Sequence, residues 1–240
     1  MGESTSVQPP VDEAQGGRIA GKLNWLRAGV MGANDGIVST AGMVVGVAGA
    51  AVSNEALLVS GISAVIAGAL SMAVGEFVSV SSQRDSQRAE LAHERAQLAG
   101  NPERGLEQLT GLIQAQGVDR SLARQVAVQL TQKDPLTAHA RYELGIDPDE
   151  LTNPWQAGWA SALAFIAGAL IPLATILLSP RANAVPITAV AVVVALAITG
   201  SVSAHLGHAP KLRAMLRTVG GGIAAMAITY GVGSLLGAEF

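Results

Sequence analysis

Residues 27–52 read RAGVMGANDGIVSTAGMVVGVAGAAV, and no other stretch limits the fold of this chain so firmly. After Arg27 the run is apolar and glycine-rich, and it is long enough for a membrane-spanning helix, which needs about 20 such residues. It nevertheless holds a carboxylate, Asp35, between Asn34 and Gly36. An ionisable group inside a span costs roughly 2.5–3.5 kcal/mol on insertion scales. The charge could snorkel to the surface or pair with Arg27. Arg27, however, lies beyond easy i,i+4 reach, so a charge that is put to use is the stronger reading.

Four more segments qualify as spans: about 56–80, 155–178, 185–204 and 218–238, after a first at about 28–52. Half of the residues are hydrophobic and only 14% are charged, which is unusual for a soluble domain of this length. The 28 glycines let helices approach closely where lipid supplies no hydrophobic drive between them. Pro172 inside the third span predicts a kink, because it removes a backbone donor. Trp155 and Trp159 open that span as interfacial anchors do. All of the 15 lysines and arginines except Arg181 fall on one side of such a bundle, which the positive-inside rule makes cytoplasmic. Five crossings then put the amino terminus inside and the carboxyl terminus outside.

The expected organisation is an all-α membrane protein with five transmembrane helices and a small cytoplasmic helical domain between spans two and three. Residues 1–24 are polar, lack the basic and apolar regions of a signal peptide, and read as a disordered cytoplasmic tail. Residues 25–80 carry spans one and two, 81–153 the inserted domain, and 154–240 spans three to five. Within the insert a helix from about Gln83 to Ala99 continues span two. Asn101-Pro102 caps a second helix with Leu106, Leu109 and Ile113 on one face. Gly117 ends it, and Asp119 caps a third carrying Leu122, Val126 and Leu130. Asp134-Pro135 caps a short fourth that ends at Gly145.

Two sets of residues could carry chemistry. Asp35 lies about seven residues into span one, and Met72 and Glu76 lie about four to eight from the end of span two, so all three sit roughly 6–12 Å below the inner surface. Met31 is one turn from Asp35 on its own face. Carboxylates neutralise a divalent ion and thioether sulfur favours late first-row metals, though a methionine alone is more often packing filler. The same carboxylates would take protons if a low-dielectric site raised their affinity for them. In the insert, Glu90 and Glu94, Glu103 and Glu107, and His139 and Glu143 each stand one turn apart. A His and a Glu so spaced can chelate an ion. Taken alone, these pairs read first as a solvated face with ion pairs to Arg88, Arg95, Arg104 and Arg141. His205 and His208 read as interfacial polar residues. There is no cysteine, no hydrolytic or nucleotide-binding signature, and no basic aromatic stripe for nucleic acid. The chain does not read as an enzyme.

The stretches RAGVMGANDGIVST, SMAVGEFVSVSSQRD, LAHERAQLAGNPE and DPLTAHARYELGI resemble the vacuolar iron transporter family, and the resemblance covers nearly the whole chain from about Asn24. It implies a stand-alone transporter of Fe²⁺ or Mn²⁺ that works as a homodimer, with the path between subunits lined by spans one and two. Asp35 then falls on the path acid, Met72 on the path methionine and Glu76 on the second carboxylate of the motif. The resemblance places metal-collecting glutamates at Glu90, Glu94, Glu103, Glu107 and Glu143, with His139 where eukaryotic members have a methionine. Gly105 and Gln108 stand where relatives often have further glutamates, which implies fewer or weaker ions in the domain.

The resulting expectation is a metal exporter exchanging Fe²⁺ or Mn²⁺ for protons, with no resident cofactor; Co²⁺ and Zn²⁺ suit the same donors. The expected partners are the bilayer, the ions, protons and a second copy of the chain. The membrane is expected to be a bacterial plasma membrane, or a vacuolar-type one in a eukaryote. The alternative is a metal-sensing or metal-storage membrane protein through which nothing crosses.

Overall fold

The structure, a computed structural model, describes residues 13–50 and 52–238, with α1 side chains from Leu26 onward, Arg27 apart. The chain order is α1 (Glu13–Gly49), α2 (Asn54–Gly100), α3 (Pro102–Ala115), α4 (Arg120–Lys133), α5 (Pro135–His139), a π turn (Ala140–Leu144), α6 (Pro154–Leu178), a short 3₁₀ turn (Arg181–Asn183), α7 (Ala184–Leu206) and α8 (Lys211–Gly237). No strand occurs among the described residues. Among the described residues, five helices are long and apolar enough to cross a membrane. The described residues divide into two compact units, one within 22–78 and 154–238 and the other within 13–21 and 79–153.

The first unit is packed from small residues. Gly36 on α1 and Gly168 on α6 each lie against the other helix's backbone: a Cβ at Gly36 would collide with the Phe165 carbonyl, and one at Gly168 with that of Ala33. Such contacts let helices gain packing where lipid offers as apolar a surface as any side chain. Between them sit Ile37, Val44 and Val45 of α1, Leu57 and Val65 of α2, Phe165 and Leu173 of α6, Leu196 of α7 and Met226 of α8, all buried. Many large apolar side chains point outward instead, among them Ile66, Leu70 and Val74 of α2 and Leu163 and Leu170 of α6. A water-facing surface rarely carries so much apolar area, whereas a bilayer accepts it. α6 continues through Pro172, with the Thr175 hydroxyl donating to the Ile171 carbonyl at 2.9 Å one turn back.

Two boundaries differ from the expectation. Span one ends at Gly49 and leaves Val52 outside the helix, exposed. Ser53 caps α2 by accepting the Ala56 amide at 3.2 Å, and the chain has to leave helical geometry before a cap. At the other end, α1 starts at Glu13, so residues 13–24 of the expected disordered tail are helical. Once a long helix is nucleated, each added residue gains a hydrogen bond and needs no new nucleus. The rest of that tail, residues 1–12, lies outside the described residues.

In the second unit the caps form as the sequence predicts. Asn101 accepts the Arg104 amide at 3.0 Å, Asp119 that of Ser121 at 2.8 Å and Asp134 that of Thr137 at 3.1 Å. Gly117 takes a left-handed conformation, φ +92°, between α3 and α4. Leu109, Ile113, Ala123, Ala127 and Ala138 make the core. Here α4 departs from its expected stripe: Leu122 is exposed, and the buried face is built on Ala123 and Ala127, with Val126 and Leu130 beside them. Small residues on α4 allow α3 to come close, and the larger leucine is turned outward.

Asp134 gives a prediction. The Thr137 hydroxyl, donating at 2.8 Å, and then the Thr137 amide hold its carboxyl below the ordinary value. A depressed carboxylate contributes stability that is present above its unfolded value, about 3.9, and lost as the pH falls through the lowered folded value. Asp134→Ala is therefore expected to destabilise this unit by about 1 kcal/mol at pH 7. In thermal melts of the chain in detergent, its deficit against the unaltered protein should shrink as the pH is taken below about 3.9.

Candidate metal site

Glu94 lies on α2, His139 ends α5, and Glu143 sits one turn further on, in the π turn. The cap at Asp134 starts α5, and Gly145 (φ +65°) closes the π turn, with the Ile146 amide donating to the Ala140 carbonyl at 2.9 Å. π turns are wider than α turns and recur at functional sites. His139 Nδ1 lies 3.1 Å from Glu94 Oε1 and 3.3 Å from Glu143 Oε2. His139 is 1% exposed and Glu94 5%, so one nitrogen and one carboxylate face each other out of water while Glu143 closes the group from outside. Among the described residues this is the one group of three or more His, Asp or Glu donors close enough to share an ion.

The two contacts at His139 have the length of hydrogen bonds from an imidazole to carboxylates, and the same spacing lets the three side chains share an ion. Ions that bind nitrogen and oxygen at about 2.0–2.2 Å set neighbouring donors about 2.8–3.1 Å apart in octahedral and about 3.3–3.6 Å apart in tetrahedral geometry. Both contacts at His139 fall in those ranges. The donors, one imidazole and two carboxylates, are those that first-row divalent ions accept.

Of the three acid pairs singled out in the insert, only His139 and Glu143 join this group, and Glu94 completes it without Glu90. Glu90 is exposed one turn before Glu94, and Glu103 is exposed in the first turn of α3. Glu107 is held by Arg120 and, at 3.0 Å, by Arg124 of α4. The solvated-face reading thus describes Glu107, with other arginines than those expected, and does not describe Glu94. Gln108, noted in the sequence only for standing where relatives often have a glutamate, touches the group: its Nε2 donates to Glu143 Oε1 at 2.6 Å. Gly105, one turn earlier, lies beside the imidazole: a Cβ there would meet Leu98 Cδ2 at 2.5 Å and His139 Nε2 at 3.6 Å. Nothing in a linear sequence says which turn of α3 faces His139.

In the first unit Asp35 is half-buried and accepts the Ser39 hydroxyl at 2.5 Å. No ion pair reaches it among the described residues; the Arg27 side chain lies outside them. Met72 is partly buried against the core, and Glu76 is half-buried one turn further along α2. Asn34, next to Asp35, has a buried side-chain oxygen with no hydrogen-bond partner.

The VIT family model matches residues 26–234. The chain belongs to the VIT family. The match takes in Asp35, Met72 and Glu76 as well as the Glu94–His139–Glu143 group. Among VIT relatives, a vacuolar iron transporter of Acanthamoeba castellanii is 45% identical over 231 residues, covering 95% of this chain and 85% of its own. The VIT-like transporter 1b of Glycine max is 36% identical, covering 91% and 79%. Vacuolar iron transporter homolog 5 of Oryza sativa subsp. japonica is 38% identical, covering 89% and 81%.

Proposed function

We propose that this protein is a divalent metal transporter that removes Fe²⁺ or Mn²⁺ from the cytoplasm in exchange for protons and works as a homodimer. The observation that carries the reading is a metal-type donor group, two of its three members out of water, in a member of a family whose relatives are named iron transporters. The distribution of lysine and arginine supports a cytoplasmic insert and amino terminus with the carboxyl terminus opposite. The plasma membrane of a bacterium, or a vacuolar-type membrane in a eukaryote, is the setting this arrangement suits.

Glu94, His139 and Glu143 act as the capture site. Glu90 and Glu103 are exposed carboxylates that gather cations around it, and Glu107 joins them once released from Arg120 and Arg124. Asp35, Met72 and Glu76 hold the ion within the membrane. There the two carboxylates offset its charge, and the thioether favours a first-row metal over Mg²⁺. On the return step the same carboxylates carry protons, which keeps the membrane unit near neutrality in both directions.

The test is reconstitution. Mn²⁺ or Fe²⁺ entering proteoliposomes together with a change in lumenal pH supports exchange. Entry without a pH change removes the proton half, and binding without entry leaves a sensing or storage protein. Glu94→Gln combined with Glu143→Gln is expected to raise the half-saturating metal concentration about 10-fold or more while transport stays measurable, since weakening a metal's surroundings commonly costs that much. Complete loss would place these residues in the path itself.

A further inference from the structure

Glu143 does not offer both of its oxygens to the group. Oε2 lies 3.3 Å from His139 Nδ1, whereas Oε1 accepts the Gln108 amide at 2.6 Å. Gln108 comes from α3, and the position one turn before it is Gly105, which places no side chain next to the imidazole. The face that α3 turns toward the group therefore supplies one neutral donor and no carboxylate. Two carboxylates balance a single divalent ion, and Glu143 presents one oxygen to the imidazole while Gln108 holds the other.

We propose that Gln108 is the positioning residue of this site: it holds Glu143 so that only Oε2 faces Glu94 and His139, and its neutrality leaves the site with charge for one divalent ion per chain. The inference rests on the capture-site reading above. Gln108 touches no ion; it acts through Glu143, as groups behind a metal ligand do when they fix its orientation. Its neutrality matters as much as its reach, because a carboxylate at the same place would give three negative charges around one imidazole and room for a second cation.

The experiment uses the full-length chain in detergent, titrated with Mn²⁺ and followed by the electron paramagnetic resonance signal of free Mn²⁺, with calorimetry for the count. The Mn²⁺ that disappears in His139→Ala defines this site. Gln108→Ala is expected to weaken that Mn²⁺ about 10–100-fold with the count still one. Gln108→Glu is expected to raise the count toward two. In a Glu143→Gln background, Gln108→Ala should add little, since residues acting through one group are not additive. A full additive loss in that background would make Gln108 a structural residue only and overturn the proposal, as would unchanged affinity in Gln108→Ala or an unchanged count in Gln108→Glu. If His139→Ala removes no Mn²⁺, the capture site itself fails and this inference with it. If His139→Ala removes the ion and Gln108→Ala does not weaken it, the inference alone fails.

Discussion

Asp35→Asn is expected to abolish metal uptake by the reconstituted protein while leaving its helical content and assembly state unchanged. Asparagine has nearly the same shape and can still accept the Ser39 hydroxyl that Asp35 accepts at 2.5 Å. The fold should therefore hardly register the change. The charge is lost, and on the proposed reading an ion inside the low-dielectric bundle then lacks one of the two carboxylates assigned to it. Removing one partner of a buried charge pair costs about 3–5 kcal/mol. At about 1.4 kcal/mol per decade, this is a loss of at least about 100-fold. Initial Mn²⁺ uptake into proteoliposomes measures it, with circular dichroism and size-exclusion chromatography as controls. A rate within 10-fold of the unaltered protein would take Asp35 out of the path.

Gly168→Val is expected to have the largest effect on stability. Gly168 sits in the middle of α6, where residues other than proline would favour the helix by up to about 1 kcal/mol. Local propensity thus predicts a gain. Tertiary contact predicts the reverse, because a Cβ at Gly168 collides with the Ala33 carbonyl of α1, and Gly36 meets the Phe165 carbonyl in the same crossing. Those obstacles are backbone, which cannot swing aside as a long side chain would. Overpacking of this kind costs typically 1–3 kcal/mol, and about 3 kcal/mol or more is expected where two main chains must part. Gly220→Ala on α8 is the matching control, since a Cβ there meets nothing within 4 Å. Thermal midpoints of the three proteins in one detergent decide the matter. Equal midpoints would mean that α1 and α6 part without cost.

The same crossing explains part of the NDGIVST stretch that gave the chain its family resemblance. From the sequence, Asp35 could be read by its cost in a membrane. Gly36 beside it carried no such signal, because a glycine in an apolar run is compatible with any small-residue packing. Its role as the point where α6 reaches α1 is visible only when both helices are in place. In the insert, Asn101, Asp119 and Asp134 were legible as caps because a cap is made by residues within a few positions of each other. Glu94, by contrast, read from spacing alone as one more acid on a charged helix, paired with Glu90, and only the family resemblance set it among the metal-collecting residues. Its burial against His139 depends on a residue 45 positions further along.

What the order of residues determined alone was local or additive: five apolar runs, their breaks, the helix caps, and the sidedness of charge. Each of these follows from a window of chain no longer than a helix. What the tertiary structure decided was which turn of each helix faces which neighbour. That choice made Ala123 and Ala127 the buried face of α4 in place of Leu122, brought Glu94 to His139 and Glu143, and set Gln108 behind them. The reason is that helical periodicity limits a side chain to a face, whereas only the packing of one helix on another selects its partner on that face.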